Sequence, residues 1–255
     1  ATKRWFKTVS VDEFHSKASK SAQYRILLDD RVVLTPGQFA LWAPSEILAN
    51  AVAAEWDMQE KTITPHMMPL MGLCCTTLDS MATKREHAIS TILGYILTDT
   101  ICYRAKKAAT RLHEMQVKFH QPVIEWCQER FNSKINVIEE GSFLEAEQPD
   151  IVFQKARWYL NELTDWELAS FYQMSENVKS YFLAMALFEN KIDIEWAIQA
   201  SRCEENFQIS QFGLVEAEHD VTEADIRTKL TAAVFFGHVV KGIKIQINWQ
   251  NFAQK

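Results

Sequence analysis

Seven glycines and six prolines in 255 residues are too few for a chain that reverses direction about every 8–12 residues, as sandwiches and barrels do. Turns with positive φ or a preset proline need those two residue types, so their scarcity predicts long helices joined by few turns. Hydrophobic residues make up 47% and charged residues 24%, which supplies an ordinary packed core and excludes a disordered chain. The length suits one large domain or two modest ones.

The first third departs from the helical pattern. Tyr24 to Leu34, YRILLDDRVVL, sets two apolar runs on either side of Asp29-Asp30 and predicts a tight β-hairpin that lacks the usual glycine. Leu34-Thr-Pro-Gly37 is a second turn signal, from which Phe39 to Trp42 can return as a strand. Pro44-Ser45 then opens a helix whose Leu48, Val52 and Trp56 share one face. Two prolines break Thr64 to Leu70, which reads as a linker.

From about Thr76 the period is helical. Leu78, Met81, Ala82, Ile89, Ile92, Leu93 and Ile96 form one stripe. Leu112, Met115, Phe119, Val123 and Trp126 form another, with Pro122 as a candidate kink. Ile135 to Ile138 reads as extended. Thr164 to Glu167 matches a capping box and Thr222 to Asp225 does so more loosely. Tyr181 to Phe188 is apolar on nearly all sides and is expected to be buried. The fold class expected is α+β: a small N-terminal mixed α/β domain over residues 1–73, a larger all-helical domain over 74–243, and a strand-like tail over 244–255.

Charge and motifs remove several function classes. A net charge of −6 disfavours a nucleic-acid binder, which neutralises phosphates with clustered cations. No apolar run reaches the length of a membrane span, so no membrane insertion is expected. Five cysteines without paired spacing read as reduced thiols, and His113 and His120 as surface or packing residues rather than metal ligands. With no nucleophile elbow, phosphate loop or zinc helix, no catalytic residue, metal or cofactor is expected. The chain starts at ATKRWF with no Arg-rich leader, so a targeting peptide is expected to have been removed or never present.

What remains is a candidate recognition surface. Glu204, Glu205, Glu216 and Glu218 have only Arg202 as local compensation, and they suit either a solvated face or an acidic patch that meets a basic partner. Trp56 and Asp57 close an amphipathic helix, where the indole suits an anchor against the sheet or a partner contact.

The order LLDDRVVLTPG, PSEILANAVAAEWDMQ, ITPHMMPL, LTDTICYRA, FLAMALFENKID and EENFQISQFG resembles the mitochondrial and α-proteobacterial chaperones that assemble the catalytic head of ATP synthase, over roughly residues 4–240. The match is to the member that binds the α subunit. The resemblance implies a non-enzymatic protein of the mitochondrial matrix that shields the unassembled α subunit until the β subunit displaces it. It places the client-binding element at Glu204, Glu205, Gln208, Gln211, Phe212 and Gly213, with Glu216 beyond. The chain departs from the family pattern at Asp30, where glycine is usual, at Phe212, where tryptophan is usual, and in MPLMGLCC, which stands for MPLTRLAN. The alternative is a divergent member kept as a structural component of a large mitochondrial assembly, with Lys244 to Phe252 as an added edge strand.

Overall fold

The computed structural model describes residues 2–15, 21–107, 110–139, 147–213 and 219–242. The architecture is α+β, a small sheet region with its helices and a larger helical region. The chain divides into two compact units, the first running from Ala1 to Asp79 and resuming at Phe235, the second spanning Ser80–Val234.

The first unit contains β1 (Thr2–Lys3), β2 (Val9–Phe14), β3 (Gln23–Leu28), β4 (Arg31–Val32), β5 (Trp42–Ala43), α1 (Glu46–Asp57), β6 (Thr62–Ile63) and α2 (Pro69–Cys75). Strand β3 is central: it pairs antiparallel with β2, β4 and β5, while β1 pairs with β6. The hairpin turn forms where Asp29-Asp30 predicts it, and both aspartates take positive φ, 47° and 63°. That is the geometry of a primed turn, in which aspartate tolerates the left-handed region better than most residues. Asp29 also has local compensation. Its Oδ1 accepts hydrogen bonds from the Lys7 and Thr8 amides, both at 2.9 Å, and these hold its carboxyl below the usual range.

The second turn differs from the sequence expectation. Phe39 to Trp42 does not return along β4 as a regular hairpin: Leu34 and Ala40 form one isolated bridge and β5 crosses to β3. The left-handed residue is Gln38, with φ 67°, and not Gly37. Gly37 is required for proximity instead. A Cβ there would lie 2.6 Å from Asp79 Oδ1, because the Asp79 carboxylate accepts from the Gly37 amide at 2.9 Å and from Thr35 Oγ1 at 2.5 Å.

Ser45 caps α1 by accepting from the Leu48 amide, and the predicted face of Leu48, Val52 and Trp56 is buried against the sheet. The segment Thr64 to Leu70 is no free linker. Pro65–Met67 forms a short 3-10 turn, Met68 is buried, and Pro69 starts α2, where its missing N–H costs nothing.

The second unit contains α3 (Ala82–Leu97), β7 (Tyr103–Arg104), α4 (Thr110–Phe131), β8 (Ile138–Glu139), α5 (Asp150–Glu162), α6 (Asp165–Val178), α7 (Tyr181–Phe188), α8 (Ile194–Ser201), α9 (Cys203–Phe212) and the greater part of α10 (His219–Val240). It is helical apart from a two-residue parallel ladder between β7 and β8. Helix α7 is buried at all eight positions and packs on α3, α4, α6 and α8. Phe131, Phe171, Tyr181 and Phe188 interlock around it at centroid distances of 5.4 to 6.3 Å, and each buried ring adds about 1.5–3 kcal/mol of apolar burial. The capping box at Thr164 and Glu167 is complete. Thr222 to Asp225 is not a cap, since α10 has begun three residues earlier at His219. Arg85 closes the α5–α6 corner by donating to the carbonyls of Leu160, Asn161 and Leu163 and pairing with Asp165, as a cation at a helix C-terminus should.

Candidate functional site

Helix α9 is short and weakly apolar, and Cys203 is its only buried residue. Glu204, Gln208, Gln211 and Phe212 stand at i, i+4, i+7 and i+8, so they share one exposed face. Phe212 is 87% exposed, an uncommon position for a large ring unless something covers it. Gly213 ends the helix with φ 90°, where its amide donates to the Ile209 carbonyl. A left-handed residue is needed there, and glycine supplies it.

Glu204, Gln208 and Phe212 line a hollow of about 550 Å³ together with Phe207, Leu112, Gln116 and Glu139. Among the described residues a further wall is the strand end Tyr103, Arg104 and Ala105. The parallel register sets Arg104 opposite Glu139. A second hollow of about 270 Å³ shares Tyr103 and Glu204 and reaches His120, Ala200 and Cys203.

A buried polar network holds these walls. Gln116 accepts from the Ala105 amide at 2.7 Å and donates to Glu204 Oε1 at 3.3 Å. Arg104 is 5% exposed and donates to the Ile101 carbonyl and to His120 Nδ1. His120 Nε2 then carries the proton and donates to the Ala200 carbonyl at 2.8 Å. Burial, reinforced by the Arg104 charge and opposed by the Ala200 bond, lowers the His120 pKa to about 4, so the imidazole is neutral. Asp99, fully buried, caps the 3-10 turn through the Ile101 amide and accepts from the Phe182 amide at the start of α7. Burial pushes its carboxyl up to about 7 despite those bonds.

The residues expected at the site separate into two groups. Glu204, Gln208 and Phe212 are brought together on the hollow, and Gln211 is exposed beside them. Glu205 points elsewhere, into an ion pair with the buried Arg202, which donates to both its carboxylate oxygens at 3.0 and 2.6 Å and also reaches Glu223. Glu216 lies outside the described residues, as does Lys244 to Phe252. Trp56 is buried edge-on to Phe6 at 5.7 Å, and Asp57 pairs with Arg4 at 3.2 Å. Arg4 further donates to the carbonyls of Asp57 and Gln59.

Two of the sequence motifs meet in the first unit. Glu55 of AEWDMQ accepts the Leu70 and Met71 amides, each at 2.8 Å, and so caps α2 at the MPL motif. Gln59 accepts the Thr64 amide at 2.8 Å. Arg104, Gln116 and His120 carry the geometry of the second-unit site, although sequence reasoning does not select them as site residues. The one signal for them is a charge inside the apolar run ICYRA.

Cys74, Cys102 and Cys127 are buried and burial pushes their thiols up, away from the reactive thiolate. Among the described residues no cluster of histidine, cysteine or carboxylate side chains is arranged to hold a metal ion, and no helix is long and apolar enough to cross a membrane.

Comparison with known proteins gives this arrangement a context. A family model described as ATP12 chaperone protein matches residues 3–128. The chain is 22% identical over 238 residues to the mitochondrial protein atp12 of Schizosaccharomyces pombe, covering 90% of this chain and 82% of that protein. It is 25% identical over 276 residues to the mitochondrial protein ATP12 of Saccharomyces cerevisiae, covering 91% and 83%. The crystal structure of Atp12 from Paracoccus denitrificans shares the fold with a TM-score of 0.81 at 24% identity, over 93% of this chain and 98% of that one.

Proposed function

This chain belongs to the ATP12 chaperone family of ATP synthase assembly, and from that premise we propose that it binds the unassembled α subunit of the mitochondrial ATP synthase in the matrix. It shields the α interface and yields it to the β subunit. A ring subunit exposes a broad apolar surface before its neighbours arrive, and such surfaces aggregate unless covered. A chaperone built for that task needs complementarity and release, which differential affinity supplies without catalysis.

The observation that carries the reading is the convergence of Glu204, Gln208 and the exposed ring of Phe212 on one hollow. Carboxylates beside an apolar wall suit a client segment that carries lysine or arginine next to an aliphatic side chain. In this proposal Glu204, Gln208, Gln211, Phe212 and Gly213 contact the client directly, with Glu216 just beyond. Glu205 supports the helix from behind through Arg202. Trp56 and Asp57 hold the first unit in shape.

Affinity purification of the protein from its own mitochondria, with the stoichiometry of co-eluting chains measured by mass spectrometry, tests this. Substoichiometric α subunit without β is the expected result. A complete multi-subunit particle at fixed ratio would overturn the transient role and make the chain a resident component, with Lys244 to Phe252 as its attachment.

A further inference from the structure

A further hollow in the same unit, of about 340 Å³, is walled by α4, α5 and α7. Its floor is Phe131 and Met185, both buried. Its rim is Arg130, Lys155, Trp158 and Tyr159. Trp158 is 61% exposed and Ile151, seven residues earlier on α5, is 41% exposed. With Lys155 between them at i+4, the three residues make one outward stripe on α5.

Among the described residues the charged side chains that line the hollow, Arg130 and Lys155, are both cations. Arg130 makes no hydrogen bond or ion pair among the described residues, and Lys155 uses one donor on the Phe131 carbonyl at 2.6 Å. An ammonium has three donors, so two remain. Among the described residues no carboxylate lines the hollow. Glu189 accepts the Tyr159 hydroxyl from outside it. In a chain of net charge −6, this is a cationic rim around an apolar floor.

We propose that this hollow is a docking site for a protein segment that inserts one apolar side chain and places an aspartate or glutamate against Arg130 and Lys155. Tryptophan, tyrosine and arginine are the residue types enriched where binding energy concentrates at protein interfaces, and here all three meet at one opening. The volume accepts one large side chain with its neighbour. A nucleic acid or an anionic membrane meets the overall negative charge of the molecule and gains only two cations in return. A short acidic and apolar segment meets no such penalty. This site is independent of the hollow under α9 and carries the opposite charge preference.

The test uses the full chain labelled with 5-fluorotryptophan. Trp158→Phe removes and so assigns one of its eight indole resonances. The probes are a capped tetrapeptide alternating phenylalanine and aspartate, its lysine counterpart, and inorganic phosphate. The aspartate peptide should shift the Trp158 resonance saturably at millimolar concentration. The lysine peptide should bind at least about ten-fold more weakly, as expected when like charges replace opposite ones, and so should phosphate, which has the favoured charge but no apolar side chain for the floor of Phe131 and Met185. Arg130→Glu, an exposed substitution that leaves the circular dichroism unchanged, sets a carboxylate beside the remaining Lys155 and should abolish the preference between the two peptides. Equal response to both peptides, an equal response to phosphate, no response at all, or an unaltered preference in Arg130→Glu would each overturn the proposal.

Discussion

Replacing Gly37 with alanine tests whether a close approach, and not a turn conformation, holds the loop after β4. The added Cβ would sit 2.6 Å from Asp79 Oδ1 and 2.8 Å from Cγ, so the carboxylate must swing away from both its donors. Two hydrogen bonds to a charged acceptor are worth about 1.5 kcal/mol each at the low end, which sets a loss near ~3 kcal/mol. Alanine narrows the unfolded ensemble and returns roughly 0.7 kcal/mol. The net expectation is a destabilisation of about 2 kcal/mol, or roughly 30-fold faster amide exchange where exchange follows this opening. Val33 and Leu41 are the amides to follow, because they bond to the Ile26 and Val33 carbonyls beside the loop. In an Asp79→Ala background nothing remains to displace, and Gly37→Ala should become slightly stabilising. An equal cost in both backgrounds would refute the reasoning and return the effect to backbone strain.

Other outcomes follow from the same contacts. Glu204→Lys should weaken the proposed capture of the α subunit roughly ten-fold or more, as a reversed charge at the rim of an interface does, with melting lowered only by the loss of the 3.3 Å bond from Gln116, about 1 kcal/mol; a pull-down at matched ionic strength reads the capture. Glu205→Lys should instead lower the melting temperature more strongly, since it strips the bidentate partner from Arg202, which is 4% exposed and keeps Glu223, at about 2 kcal/mol; scanning calorimetry separates the two. In the first unit, burial raises the Glu55 carboxyl from 4.5 to about 7. The folded state therefore holds a proton that the unfolded state has released, and stability falls as pH rises through that window by at most ~1.4 kcal/mol per unit. Exchange rates corrected for intrinsic chemistry should show this fall, and Glu55→Gln should remove it. In the second unit Asp99, raised to about 7, and His120, lowered to about 4, give slopes of opposite sign between about pH 4.5 and 6.5. Protection of α7 amides should stay nearly flat across that range.

Local chemistry made the helix starts and the most apolar segments legible. Ser45, the Thr164 and Glu167 box, the stripe of Leu48, Val52 and Trp56, and the burial of Tyr181 to Phe188 are all where the sequence puts them. Helix α4 shows the limit. Counting apolar side chains selects Leu112, Met115, Phe119, Val123 and Trp126, yet the buried residues are Gln116, His120, Val123, Ile124, Cys127 and Phe131. A periodicity count scores glutamine and histidine as outward because it cannot see the Ala105 amide or Ala200 carbonyl that satisfy them. The same blindness governs the site. The i, i+4 and i+8 spacing of Glu204, Gln208 and Phe212 is visible in the sequence, whereas Gln116, 88 residues away, is joined to Glu204 only by the fold. The prolines of Thr64 to Leu70 suggest a break because Glu55, the group that ties that segment down, lies on another helix.

Helix α7 has a consequence for how the molecule is made. A helix apolar on every side has no preferred outward face, so its rotation is set only by α3, α4, α6 and α8 around it. On a growing chain the first three exist before Tyr181 emerges, but α8 ends at Ser201. Until that last wall arrives, YFLAMALF stays uncovered on one side, the kind of surface that draws other chains. A protein of a chaperone family thus passes, during its own synthesis, through an interval in which it needs protection itself.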